Sequence, residues 1–147
     1  MRWLIGVLLF VSFPVLAQVE VEKPWIRATP PGAKIAAGYI TIRNKGSQSD
    51  RLVGASSPMA AKLQTHVTVK DGEVLRMREV KGYEIPAKGT FELKPGGAHL
   101  MLVDIKQALK EGDKVPVTLK FEKSRDVTVE FLVSGLAGPP AQHHNHQ

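Results

Sequence analysis

Four side chains in this sequence offer nitrogen and sulfur donors at spacings that strand geometry can use: His66, Met77, His99 and Met101. The first two close off the stretch HVTVKDGEVLRM, residues 66–77, in which Asp71-Gly72 separates two alternating runs. Asp-Gly in that setting predicts a β-hairpin with a type I′ turn, because such a turn needs positive φ at both central residues. With Asp71 and Gly72 central, Lys70 faces Glu73, Val69 faces Val74, Thr68 faces Leu75 and His66 faces Met77. Directly opposed residues share a face, with Cβ atoms roughly 4.5–5.5 Å apart. The other two donors lie in GAHLMLV, residues 97–103. In a strand, His99 and Met101 point to one face, while Leu100 and Leu102 point to the other and into a core. A Met on a strand is ordinarily packing, and a lone His is ordinarily hydrogen-bonded. Here each of the two internal histidines has a methionine as geometric partner. If the two ribbons meet at one end of a barrel, two nitrogens and two sulfurs converge.

The donor types select the metal. Thioether sulfur is soft and neutral, and it prefers Cu(I) to Zn(II), Mg(II) or Ca(II). It carries no proton to lose, so its availability does not follow pH as a thiol's does. An electron-transfer copper centre normally adds a cysteine sulfur, and the chain has no cysteine. That absence also excludes disulfides, lipid attachment through cysteine, zinc–thiolate sites and thiol nucleophiles. The set therefore suits a carrier that binds the reduced ion and releases it by ligand exchange, which requires solvent access to the metal. No Ser-His-Asp spacing, phosphate-cradling glycine loop or carboxylate dyad stands out, so no enzymatic activity is expected.

The elements that must position these donors read as strands. Alternation marks Tyr39–Arg43, Arg51–Ala55, Leu63–Lys70, Glu73–Val80, Thr90–Lys94, Val115–Phe121 and Val127–Val133, and Ala98–Val103 is a strongly apolar strand candidate. Turn residues separate them at close intervals, and about eight short strands of this kind predict an antiparallel all-β sandwich or barrel. The single helical signal is one turn over Ile105–Lys110, stopped by Gly112. Trp25 and Tyr39 read as core or barrel-end residues, Pro30-Pro31-Gly32 as a loop, and Met59 as packing or an auxiliary thioether.

Chain length and ends complete the outline. The 147 residues allow one domain with a real core. Residues 1–17, MRWLIGVLLFVSFPVLA, combine a positive start, a short apolar run and small residues at cleavage spacing, the pattern of a secretory signal peptide. Cleavage before Gln18 leaves a domain over 18–135 with no membrane anchor. A tail over 136–147 follows and ends in AQHHNHQ, expected to be disordered. Removing Arg2 lowers the net charge from +6 to +5. The basic residues are scattered and not interleaved with aromatics, so no nucleic-acid partner is expected.

The spacing H-x10-M-x21-H-x-M resembles the signature of the PCu(A)C periplasmic copper chaperones. The resemblance extends from about Trp25 to Phe121. It includes Trp25-Ile-Arg27, Thr29-Pro-Pro-Gly32, Ala37–Asn44, Leu93-Lys-Pro-Gly-Gly97 and Leu109-Lys-Glu-Gly-Asp113. It implies a cupredoxin-like Greek-key barrel, monomeric and periplasmic, holding one Cu(I) on His66, Met77, His99 and Met101. It further implies delivery to the binuclear copper site of cytochrome c oxidase subunit II, alongside a Sco-type thioredoxin-like copper chaperone. A Met often follows the first His of the signature. Here Val67 stands there, facing away from the site. Tail histidines His143, His144 and His146 suit a second copper as Cu(II), as in relatives with extended tails. The alternatives are a metal-free exported adhesion module and a copper resistance or storage protein.

Overall fold

A computed structural model describes residues 18–135 and residue 138. The expected signal peptide and the histidines His143, His144 and His146 lie outside the described residues. Ten strands form: β1 (Val19–Arg27), β2 (Ile35–Asn44), β3 (Asp50–Ser56), β4 (Ala60–Asp71), β5 (Val74–Glu79), β6 (Tyr83–Ile85), β7 (Thr90–Glu92), β8 (Ala98–Ile105), β9 (Lys114–Phe121) and β10 (Val127–Ser134). Seven of them close a ring in the order β4-β8-β2-β1-β10-β9-β3, with β3 pairing back onto β4 through Ala55 and Leu63. β5 lies outside the ring on β4, β6 on β3, and β7 on β2. The observed architecture is the all-β barrel expected from alternation, in the cupredoxin-like form that the family resemblance implies.

The count and one pairing differ from expectation. β1 and β6 carry no clean alternating run and went unpredicted, and β1 pairs with β10 in parallel. The reason for β1's obscurity is a bulge. Between Glu22 and Trp25 the register against β2 shifts, and Lys23 has φ of 52°. The extra residue flips the side-chain parity. Val19 and Val21 point inward before it and Ile26 after it, so Trp25 and Arg27 are turned to the outer face.

The expected helical turn at Ile105–Lys110 is absent. Ile105 ends β8, and the residues after it bend away without helical bonds. A one-turn helix fixes many dihedrals for a single bond, and this segment's polar groups find other partners. Lys106 N donates to Met59 O at 3.0 Å, Leu109 N to Thr29 Oγ1 at 2.9 Å, and Lys110 N to Asp113 Oδ2 at 2.9 Å. Leu109 is fully buried and joins the core cluster.

The core is one cluster inside the ring. Phe131, Ile26, Ile40, Ile42, Leu52, Ile85, Leu100, Leu102 and Leu119 are its large, fully buried members. Burying each such side chain contributes roughly 1.5–3 kcal/mol. With no disulfide available, this apolar packing and the strand ladders carry the stability. Met59 packs against the cluster and lies just before the start of β4 at Ala60, seven residues from His66. It is packing, and the auxiliary thioether role fails on distance along the strand.

Candidate metal centre

The hairpin forms, but in a different register from the one expected. Its two turn residues are Gly72 and Glu73, and Asp71 pairs with Val74. Gly72 has φ of 63°, and neither Asp71 nor Glu73 has positive φ. That is the type II′ pattern, which needs glycine only at the first central position. Asp71 is thereby free to extend β4. The whole ladder shifts by two residues, so Thr68 faces Met77 and His66 faces Glu79, correcting the direct His66–Met77 pairing. A shift of two preserves the faces. Met77 stays on the face of His66 as its diagonal neighbour, a separation of about 7–8 Å between such positions. Val67 packs against the core, away from this face.

The second donor pair arrives from β8, which runs antiparallel beside β4. His66 lies directly opposite His99, and Gln64 directly opposite Met101. Their imidazole rings are 5.6 Å apart between centroids, tilted by 47°. Leu100 and Leu102 fill the core on the reverse face. Thus β5, β4 and β8 present Met77, His66, His99 and Met101 on one face, the same outer face that carries Tyr39 and Trp25. His99 is 3% exposed and Met101 7%, yet Met101 and Tyr39 stand outside the main core cluster. Met77 is 63% exposed. The expected solvent access exists on the side of the exposed Met77, with His66 half-buried beside it.

Each imidazole has one satisfied and one idle nitrogen. His99 Nδ1 lies 3.2 Å from Gly97 O. A carbonyl only accepts, so Nδ1 carries the proton and Nε2 holds a lone pair. His66 Nε2 lies 3.0 Å from Gln64 Oε1. The Gln64 amide nitrogen is turned to Glu79 Oε2 at 3.5 Å, so its oxygen faces the ring and His66 Nε2 carries the proton. The lone pair of His66 is then on Nδ1. His66 Nδ1 and His99 Nε2 are both buried without a hydrogen-bond partner among the described residues. Leaving a buried acceptor unpaired costs about 1–3 kcal/mol. Two such atoms on adjacent strands beside two thioethers fit a metal ion as the missing partner.

Tyr83, which the sequence did not single out, ties the histidine strands together from below. Its hydroxyl sits 2.5 Å from His66 O and 2.8 Å from His99 O. Its ring is buried in the core and stacks on Phe91 at 4.9 Å between centroids. Burial pushes its pKa up to about 12, against the opposing pull of the two carbonyl contacts, so the phenol keeps its proton. The only available signal was a tyrosine in Lys81-Gly-Tyr-Glu-Ile85, and nothing local relates it to His66 or His99.

Electrostatics favour neutral donors. Burial holds the His99 pKa below the usual imidazole value; the Gly97 carbonyl works the other way, and the neighbouring His66 adds to the lowering. Beyond His99, Trp25 and Tyr39 pack at 4.6 Å between ring centroids, with the Arg27 guanidinium 5.9 Å above the Tyr39 ring. Burial raises the Tyr39 pKa, and Arg27 opposes that rise. Among the described residues no group of three or more His, Cys, Asp or Glu is placed to hold a metal ion. Glu79, the carboxylate opposite His66 on this face, is turned to the Gln64 amide, so the donors gathered here are imidazole and thioether, a soft set unlike the oxygen cages of hard cations.

Known proteins share this framework. Residues 19–133 match the LpqE-like family model. The protein named "Putative lipoprotein Lxx21020" of Leifsonia xyli subsp. xyli is 38% identical over 121 residues, covering 82% of this chain and 72% of the relative. Among solved structures, the copper-bound PCuAC domain from PmoF2 superposes with a TM-score of 0.70 at 29% identity, over 80% of this chain and 93% of that one. The CuI-DR1885 solution structure from Deinococcus radiodurans gives a TM-score of 0.64 at 32% identity, over 88% of this chain and 84% of that one. With a family match running from the first strand to the last, and copper-binding PCuAC domains as its structural neighbours, the chain belongs to the LpqE-like family of PCuAC-type domains.

Proposed function

We propose that this protein is an exported Cu(I) carrier, binding one ion on His66 Nδ1, His99 Nε2, Met77 Sδ and Met101 Sδ and surrendering it by ligand exchange. The observation that carries the reading is the pair of buried, unpartnered imidazole nitrogens on directly opposed residues of β4 and β8. The thioethers on the same face make the site soft, and the likeness to copper-bound PCuAC domains supports the same metal. Exposure of Met77 makes its sulfur the donor that an incoming ligand displaces first. Lipoprotein naming among the relatives supports export, and the periplasm is the compartment proposed. The acceptor proposed is the binuclear copper site of cytochrome c oxidase subunit II, with a Sco-type protein acting alongside. His143, His144 and His146 are proposed as a secondary Cu(II) site.

Two measurements test this. Competition with a chromophoric Cu(I) chelator is expected to show one tightly held ion, and loss of tight binding in a Met77→Ala, Met101→Ala double variant. Mixing the loaded protein with the isolated subunit II copper domain is expected to move the ion across. Failure to take up Cu(I) from the chelator overturns the carrier reading; uptake without transfer overturns the acceptor.

A further inference from the structure

The strand β5 ends the sheet order beyond β4. All six residues of β5 are exposed, and among the described residues nothing pairs with its outer edge. The two-residue turn makes Asp71–Val74 a hydrogen-bonded pair, and Val80 N donates to Thr65 O at 2.8 Å at the other end. Antiparallel pairs alternate, so Val74, Arg76 and Arg78 spend their backbone groups on β4. Leu75, Met77 and Glu79 aim theirs outward. The same three residues carry their side chains on the face of His66. The open backbone edge and the exposed copper donor therefore coincide at Met77.

Charge narrows the occupant. Arg76 and Arg78 flank Met77 on the reverse face, and among the described residues Arg76 forms an ion pair with the exposed Asp71 alone, at 3.5 Å. A second copy laid antiparallel on β5 about Met77 sets Arg76 against Arg78 of its mate, and like charges directly opposed are destabilising. An acidic strand meets the same arginines favourably.

Building on the carrier reading, we propose that the copper acceptor docks by adding an extended, carboxylate-bearing segment to β5, hydrogen-bonded at Leu75, Met77 and Glu79, with a sulfur donor opposite Met77. A residue so paired shares the face of Met77, with its Cα about 5.5 Å away. Transfer then begins at this edge. A bond from the partner's sulfur to the ion forms and the Met77 Sδ bond breaks. The copper stays Cu(I), and a thiol donor gives its proton to water.

The test exploits the alternation. Leu75→Pro removes an outward N–H that the hairpin does not use, a position where an edge strand tolerates proline. Leu75→Ala trims the side chain and keeps the N–H. Transfer rates to the subunit II copper domain and to a small chelator are measured for both variants and the wild type. Leu75→Pro is expected to slow transfer to the protein acceptor about fivefold relative to Leu75→Ala, the factor that one net hydrogen bond supplies. Its rate to the chelator is expected to be unchanged. Equal protein-acceptor rates for the two variants overturn docking by strand addition while leaving the carrier reading intact. Should the wild type transfer nothing to that domain, the acceptor is wrong and the edge is read directly. Amide hydrogen exchange is followed with an alternating Thr-Glu peptide bearing a central Met. Protection at Leu75, Met77 and Glu79 supports the proposal, and its absence overturns it. A wild-type dimer that Leu75→Pro dissociates overturns it in favour of a second copy.

Discussion

At the level of single residues, the four proposed donors are unequal partners. Met77 is exposed and Met101 is buried, so truncating them separates copper hold from folding. Met77→Ala is expected to leave stability within about 0.5 kcal/mol while accelerating copper loss. Met101→Ala is expected to cost about 2 kcal/mol through the cavity it leaves, as well as weakening the site. Denaturant melts of the copper-free variants, beside chelator competition, distinguish the two. Tyr83→Phe removes the hydroxyl that reaches both histidine carbonyls. Loss of about 1 kcal/mol of stability is expected together with weaker Cu(I) binding, and an affinity equal to wild type refutes a role in spacing the rings. His99 sets the acid limit. Burial depresses its folded pKa, so its contribution to stability is complete above the ordinary imidazole value of about 6.5 and is lost as pH falls through the lower folded value. Unfolding free energy and copper retention are expected to be flat from pH 8 to 7 and to decline on acidification below that window. A copper hold that instead weakens towards alkaline pH contradicts this sign.

Among the elements, the hairpin arm and the β1 bulge decide which side chains meet. Alternation located β4 and β5, an apolar run located β8, and strand parity put His99 and Met101 on the face opposite Leu100 and Leu102, because parity is a local property of a strand. The pairing of His66 with His99 was not legible, since it depends on the register between strands about thirty residues apart. The turn was misjudged by one position because Asp-Gly fits two registers, and only the backbone angle at Gly72 distinguishes them. β1 stayed hidden because Lys23 inverts its pattern midway. Gly72 offers a direct probe of the arm. Alanine there meets no steric obstacle but must hold positive φ, at roughly 1–2 kcal/mol. Gly72→Ala is expected to fray β5 and lower copper affinity while the barrel melts nearly as before. An X-ray absorption spectrum should then show one sulfur neighbour to copper where the wild type shows two.

For the molecule as a whole, the core and the site occupy opposite faces of the same sheet, so damage to one need not reach the other. Phe131 is a fully buried member of the core cluster. Phe131→Ala is expected to cost about 3–5 kcal/mol, in thermal melts that reducing agents do not alter because no disulfide exists. The ring around that core is unevenly fastened. β3 and β4 meet at the single bridge between Ala55 and Leu63, whereas the upper half of β4 is gripped on both sides, by β8 and by β5. Breathing should therefore begin at this seam, with the Ala55 and Leu63 amides trading deuterium ahead of those on β2. The proposed copper donors ride on the half that stays zipped, so the barrel can yawn open below without loosening the face above.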